Sequence, residues 1–425
     1  MKKTLWLLLL AVLITVFGTV CMSSCSEHYV EYRYRDYSYV VENEQVIITE
    51  YTGSETDLII PASIDDMPVV TIYCGAFLHC DSIKSVVIPD SVVRIDGLAF
   101  NQCENLERVT LGSGVQEIDF SPFAYCKKIA YNEYENGCYL GNEQNPYLAL
   151  VRAKHTGMQS LTIHPDTRII CGNALEGCTS LSELTIPQGV TYIGSYAMER
   201  TALQSIYIPE NVISMGSYVF KQCNSLSEIV VADQNPSYKS IDGNLFSHDG
   251  RDLLQYAIGH ERSSYRIPEG TVEIHAEAFA YAPNLTEVVF SDSVEVIGHM
   301  AFINCENLQS IDFGNSLKAI DGAAFSFCKS LTEVTIPDSV QEMSYSVFSN
   351  CDKLERVVIG SGVMSLGENA FRSCDALNEV VFRDPSGWQV KTMYALWGNK
   401  IDLSDPQKNA DYLTGEYCDY YWNRK

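Results

Sequence analysis

Leu331-Thr-Glu-Val-Thr-Ile-Pro337 opens a line of sequence that closes at Cys351, and that line is written four times without a gap between Pro283 and Asp375. Aligned on the closing residue, Cys305, Cys328, Cys351 and Cys374 fall 23 residues apart. Three residues ahead of each stands Phe302, Phe325, Phe348 or Phe371, and three residues behind stands Leu308, Leu331, Leu354 or Leu377. A fixed period of this length, with apolar residues locked to the same slots, marks a solenoid in which each turn buries its face against the next. A single turn has no core of its own.

Alternation along a strand sends Leu331, Val334 and Ile336 one way and Glu333 and Thr335 the other. Stacked turns then place these strands in a parallel sheet with one buried and one wet face. Val340, Met343, Val347 and Phe348 carry the chain back along the opposite side. Proline after the strand, at Pro89, Pro187, Pro209, Pro268 and Pro337, removes a backbone donor and turns the chain out of the sheet. Glycine at Gly97, Gly172 and Gly322 is expected to permit the next sharp bend.

Working outward, the repeat begins at Val69-Val-Thr-Ile72 and closes at Cys80, Cys103 and Cys126. The slot then falls at Cys178 after 29 extra residues, at Thr201, at Cys223, and at Ala282 after a second insertion, which makes eleven units. The ring slot of the first seven holds Phe77, Phe100, Phe123, Leu175, Met198, Phe220 and Phe279, so a spine of rings and aliphatics is expected. The first insertion carries Gly137-Cys-Tyr-Leu140 and Tyr147-Leu-Ala-Leu-Val151. The second carries Asn244-Leu-Phe-Ser247 and Leu253-Leu-Gln-Tyr256 around His248-Asp-Gly250, a hairpin signal. Both read as hairpins hung on an uninterrupted coil.

Ahead of the repeat, Val40-Val41 and Val46-Ile-Ile-Thr49 flank a polar turn, a hairpin placed to cap the open end. Beyond Phe382 a tail with Trp388, Trp397 and Tyr417-Cys-Asp-Tyr-Tyr-Trp422 reads as a second cap. The expected division is residues 1–24 as signal peptide and 25–60 as tether and hairpin cap. Residues 61–383 are solenoid, with insertions at about 127–157 and 233–264, and 384–425 are the aromatic C-terminal cap.

With 46% hydrophobic and 20% charged residues among 425, the chain is neither disordered nor membrane-embedded in bulk. A formal charge of −25 argues against nucleic acid or an anionic membrane surface as partner. Lys2 and Lys3 precede an apolar run from Leu5 to Val20, short for a membrane span and suited to export. Met22-Ser-Ser-Cys25 resembles the lipobox of bacterial lipoproteins, which implies lipid on Cys25 and a tether that does not span the membrane. Met22 stands where that pattern has Leu or Val, and ordinary cleavage is the other reading.

The unit L-x-x-V-x-I-P-x-x-V-x-x-I-x-G-x-A-F-x-x-C resembles the BspA-type leucine-rich repeat of bacterial surface proteins. Leu331 to Cys351, and Ile83-Lys-Ser-Val-Val-Ile-Pro89 running on to Ala99-Phe-Asn-Gln-Cys103, carry the likeness, which covers about residues 37 to 422. The resemblance implies a leucine-rich repeat solenoid with a curved parallel β-sheet, irregular or short helical returns, and a role in adhesion or protein recognition at the cell surface.

Nine of the fifteen cysteines occupy the repeat slot. Export favours disulfides, and stacked neighbours would stand close enough for one. The slot also accepts Thr201 and Ala282, however, which favours a small buried side chain and hence free thiols. Cys74, Cys138, Cys171 and Cys418 lie outside it, with Cys418 the one expected to be exposed. The eight histidines show no metal-binding spacing, and there is no P-loop or dinucleotide-binding glycine pattern. No catalytic residue, metal ligand or cofactor is assigned.

The outward strand positions form two columns. One reads Ser85, Arg108, Glu183, Ser205, Glu228, Glu287, Ser310, Glu333, Arg356 and Glu379; its neighbour includes Val87, Thr110, Tyr207, Val230, Asp312 and Thr335. Together they describe a long, mostly acidic strip, and Arg108, Glu183, Tyr207, Glu228, Glu287, Asp312, Glu333, Arg356 and Glu379 are the candidate partner-binding residues. The same columns suit a sheet face that is only solvated, since β-branched residues and paired charges stabilise strands by themselves. The leading expectation is an exported, monomeric, lipid-anchored surface protein that binds an extracellular or host protein and catalyses nothing. A glycan-binding module using Tyr139 and Tyr147 is the alternative, and a hydrolase is a third.

Overall fold

Glu333–Thr335 is a three-residue strand whose middle side chain, Val334, is buried while both neighbours face water. Leu331 and Ile336 anchor the strand from either side in the core, which leaves the pleat no other orientation. Pro337 then closes a tight turn, its carbonyl accepting from Val340 N–H at 3.2 Å. A second strand follows, Glu342–Met343, with Met343 buried. Two residues alternate too briefly to leave a period in the sequence. The rest of the return, from Tyr345 to Asn350, is a run of turns without a helix.

The computed structural model describes residues 30–392 and 398–424. The expected signal peptide, Cys25 and Trp397 lie outside the described residues. The chain divides into two units: one runs through Tyr134 with Cys138–Arg152 and Asp166–Ala174, the other holds Glu135–Gly137, Ala153–Pro165 and everything from Leu175. In the first unit, Asp57–Ile59, Ser85–Val87 and Arg108–Thr110 pair in parallel. On the return side Tyr37–Glu42 pairs antiparallel with Gln45–Tyr51, which runs parallel to Met67–Ile72, then Arg94–Ile95 and Glu117–Ile118.

In the second unit each turn likewise feeds two parallel sheets. The return sheet has 11 strands. It starts in an antiparallel meander, Tyr238–Ile241, Asn244–Ser247 and Asp252–Gln255, whose last strand pairs in parallel with Glu273–Ile274. The insertion is therefore not hung outside the coil, because its third strand is itself a rung. At the other end Ser365–Leu366 pairs antiparallel with Tyr421–Arg424, and that strand with Trp388–Lys391. Trp388 and Trp422 are buried there. Asp405 caps the short helix Pro406–Asp411 by accepting from Gln407 and Lys408 N–H, with proline in its first turn.

The ring slot builds the core. Tyr256, Phe279, Phe302, Phe325, Phe348 and Phe371 stack at centroid separations of 4.6, 4.4, 5.0, 5.3 and 5.7 Å, with planes 8 to 22° apart. In the first unit Phe77, Phe100 and Phe123 stack at 4.7 and 5.5 Å, and Tyr51 lies tilted by 32° against Phe77 at 5.3 Å. These separations lie in the favourable range for offset ring pairs.

The cysteine slot serves the ring of the turn before. Cys328 Sγ donates to Phe302 O at 3.3 Å, Cys305 to Phe279 O at 3.2 Å, Cys374 to Phe348 O at 3.0 Å, and Cys103 to Phe77 O at 3.1 Å. The slot thus selects a small side chain with one hydrogen to donate, and the described cysteines are free thiols. Ala282 breaks the pattern, since its turn owes a donor to Tyr256 O. Gln255 Nε2 supplies it instead, at 2.8 Å.

Two residues per turn take left-handed backbone, the one just before the slot and the one four earlier: Met300 and Asn304, Ala323 and Phe327, Ser346 and Asn350, all with φ from 55 to 62°. Such a backbone costs a non-glycine residue about 1–2 kcal/mol. Its return is a third ladder of hydrogen bonds: Met300, Phe302 and Asn304 N–H donate to Gly322, Ala324 and Ser326 O at 2.9, 2.7 and 2.9 Å. The glycine before the first left-handed residue has a different reason from the bend expected of it. A Cβ on Gly172 would stand 2.6 Å from the backbone nitrogen of Phe120 in the preceding turn, so close approach of that turn demands glycine, while one on Gly322 would meet the Tyr345 ring of the following turn at 2.7 Å.

Cys328→Ala should remove one of the two hydrogen bonds on Phe302 O, which keeps Cys305 N–H at 3.2 Å, and cost about 0.5–1.5 kcal/mol, whereas Gln255→Ala removes the side-chain donor of Tyr256 O and should cost about 1–3 kcal/mol. Phe325→Ala should cost about 3–5 kcal/mol through the cavity it opens. Urea unfolding followed by circular dichroism measures all three.

Candidate interaction face

The first sheet exposes the first and third residue of each strand, because the middle one is committed to the core. In the first unit Arg108 reaches Asp57, Nη2 to Oδ1 at 3.5 Å, and Ser85 Oγ donates to the same carboxylate. Beside them Ile59 is 71% exposed next to Val87. Asp57 and Ile59 escaped the sequence reading because they precede the first recognised unit. Their signal is Asp57-Leu-Ile-Ile-Pro61, which has the form of Glu333-Val-Thr-Ile-Pro337.

In the second unit Glu183 stands opposite Ser160, Glu228 opposite Ser205, and Glu287 between Ser264 and Ser310. Tyr207 lies beside Val230, both exposed. Glu333 is opposite Arg356, which is opposite Glu379, and Arg356 Nε is 3.1 Å from Glu379 Oε1. Glu183, Glu228, Glu287 and Glu333 are exposed, and among the described residues no lysine or arginine forms an ion pair with any of them. Asp312 turns back on its own loop, accepting from Gly314 N–H at 3.3 Å.

The expected long strip is divided. Strand pairing among the described residues of the second unit joins Ser160–Thr162 with Glu183–Thr185, Ser205–Ile208 with Glu228–Val231, then Ser264–Arg266, Glu287–Val289 and Ser310–Asp312, and lastly Glu333–Thr335, Arg356–Ile359 and Glu379–Phe382. The last break falls between Asp312 and Glu333. At the break a cavity of about 390 Å³ opens between Asp312, Asn315, Thr335 and Asp338, with Arg383 at its edge. Arg383 Nη1 lies 2.9 Å from Asp338 Oδ2.

The aromatic pair on which a sugar platform was expected is not on the surface. Tyr139 is fully buried, and its ring meets that of half-buried Tyr147 edge-on at 5.6 Å. The strand Gly137–Leu140 is buried at all four positions, so alternation does not send the tyrosine to water. Nor do Cys305 and Cys178 offer a nucleophile. Burial pushes Cys305 up to about 12 and Cys178 up to about 11, far above the range in which a thiolate forms at neutral pH.

This arrangement of two-strand turns, ring spine and thiol ladder can be set beside known proteins. A model of the BspA type leucine rich repeat region matches residues 56–143, 153–261 and 272–388 in 6 copies. The chain belongs to the BspA-type leucine-rich repeat family. Among solved structures it is similar to a leucine rich cell surface protein from Faecalibacterium prausnitzii, with 30% identity, 85% of this chain and 97% of that one covered, and a TM-score of 0.53. It is also similar to the pneumococcal vaccine antigen PcpA, at 21% identity over 85% of this chain and 89% of that one, with a TM-score of 0.52, a likeness of fold. No curated protein matches. Among the described residues of this BspA-type repeat protein no helix is long and apolar enough to cross a membrane.

Arg356→Ala should lower stability by about 0.2–1 kcal/mol, the scale of an exposed ion pair, and the loss should shrink toward zero in about 1 M salt. Thermal unfolding at two ionic strengths measures it.

Proposed function

We propose that this chain is a non-catalytic cell-surface binding protein that holds an extracellular or host protein on the exposed strands of its second unit. The observation that carries the reading is the set of carboxylates Glu183, Glu228 and Glu287, exposed opposite serines on strands anchored in the core, with Glu333 beyond them opposite Arg356 but not ion-paired with it. Loose surface charges are ordinarily offset on the neighbouring strand, as Arg356 offsets Glu379. Carboxylates kept in register without such partners suit a basic protein surface, whose approach their field would speed. Tyr207 beside Val230 supplies an apolar contact of the kind that anchors interfaces. The Faecalibacterium relative is described as a cell surface protein, which supports the same placement here. Lipid on Cys25 would tether the chain to a membrane from outside the fold. The burial of Tyr139 removes the support on which the glycan reading stood.

The variant carrying Glu228→Gln, Glu287→Gln and Glu333→Gln should capture markedly less protein from a mixture of extracellular proteins than the parent chain. Its thermal unfolding should stay within about 0.5 kcal/mol of the parent, because the three side chains are exposed. Capture should fall with rising salt. Undiminished capture by a folded triple variant would rule out this face.

A further inference from the structure

Asp252 and Glu273 stand directly opposite each other on the parallel strands Asp252–Gln255 and Glu273–Ile274. Leu253 and Ile274, the paired residues beside them, take the core face, so both carboxylates point to the outer side. Like charges in register destabilise a strand pair unless something answers them. In the first unit the equivalent turns show the usual answer. There Arg94 is opposite Glu117, and its guanidinium reaches Glu117 Oε2 at 3.4 Å and pairs with Asp96 as well.

No lysine or arginine plays that part for Asp252 or Glu273 among the described residues. His275 does stand there, two residues beyond Glu273 on the same face, with Nε2 at 3.9 Å from Glu273 Oε1. One nitrogen or oxygen from each of Asp252, Glu273 and His275 lies within 4.8 Å of the other two. The following turn places Gly298 at the position His275 occupies, so no side chain overhangs the imidazole. A Cβ there would stand 2.8 Å from Ile274 O. The imidazole also borders a cavity of about 340 Å³ shared with Tyr218, Tyr238 and Gln255, which gives a route in from solvent.

We propose that Asp252, Glu273 and His275 bind a divalent first-row transition cation, zinc by preference, with the remaining coordination left to water. One imidazole and two carboxylates form a donor set suited to zinc, whereas magnesium and calcium favour oxygen ligands throughout. Metal–ligand bonds of about 2.0–2.2 Å draw the three donor atoms closer than they stand, and half-exposed side chains supply that closure by rotation. The ion neutralises the opposed carboxylates and ties the inserted meander to the next turn of the coil.

The test uses the full, tag-free chain stripped of metal with a chelator and titrated with zinc sulfate in a calorimeter and in a melting assay. One ion should bind per chain at this site and raise the melting temperature, while magnesium at the same concentration leaves it unchanged. His275→Ala and Asp252→Asn should each weaken zinc binding about tenfold or more. Without metal His275→Ala should melt like the parent and Asp252→Asn at or slightly above it, since the opposed charge is gone, and His275→Gln serves the same comparison should alanine disturb the turn. Zinc binding that is unchanged in folded variants, or a parent chain that binds no zinc, would overturn the assignment.

Discussion

The carbonyl of a spine residue takes hydrogens from two turns at once: Phe302 O accepts from Cys305 N–H of its own turn at 3.2 Å and from Cys328 Sγ of the next at 3.3 Å. The bond from the next turn adds about 0.5–1.5 kcal/mol, the net worth of a typical hydrogen bond. The thiol is a good answer because it is small enough to leave the ring stack intact and has one hydrogen to give. Met198 O is answered in the same way by Cys223 at 3.0 Å, so the rule does not need an aromatic ring. At Tyr256 O, with alanine at 282, the preceding residue of the same turn, Gln255, donates in place of the thiol at 2.8 Å.

The same pressure accounts for the left-handed residues. A parallel coil has three sides, and on the turn-rich side an ordinary backbone would point its N–H groups in alternating directions. Left-handed backbone at two positions aims every second N–H at the next turn, as at Met300, Phe302 and Asn304, while those between bond within their own turn, as Ile303 does to Met300 O at 3.0 Å. Asparagine tolerates that conformation better than most residues, and Asn304 and Asn350 hold it. Phe327 and Tyr281 hold it too, so hydrogen bonding to the neighbour outweighs local preference.

A backbone held on three sides makes a platform whose function lies in what it displays. The strands of the second unit display carboxylates at fixed spacing, some balanced by Arg356 and some not. The break beside Asp312 divides that display, and the inserted meander adds a different one on the return side. There two carboxylates and an imidazole meet because three positions of two strands come into register.

Much of this was legible in the residues. Period, ring slot, thiol slot and the outward positions from Arg108 to Glu379 all follow from one line of sequence, because burial of a shared core leaves the same mark in every turn. The return sheet was not legible, since strands of two residues are too short to show alternation. The reason for Gly172 and Gly322 was hidden as well, because it lies in the distance to another turn. Tyr139 read as a surface aromatic, yet its strand is buried on both faces, a fact about its neighbours. The sequence by itself determined which residues each turn must bury and which it turns outward, since that depends on local period. Only the tertiary structure decided which strands pair, where the face divides, and that Asp252, Glu273 and His275 converge, since those depend on register between turns.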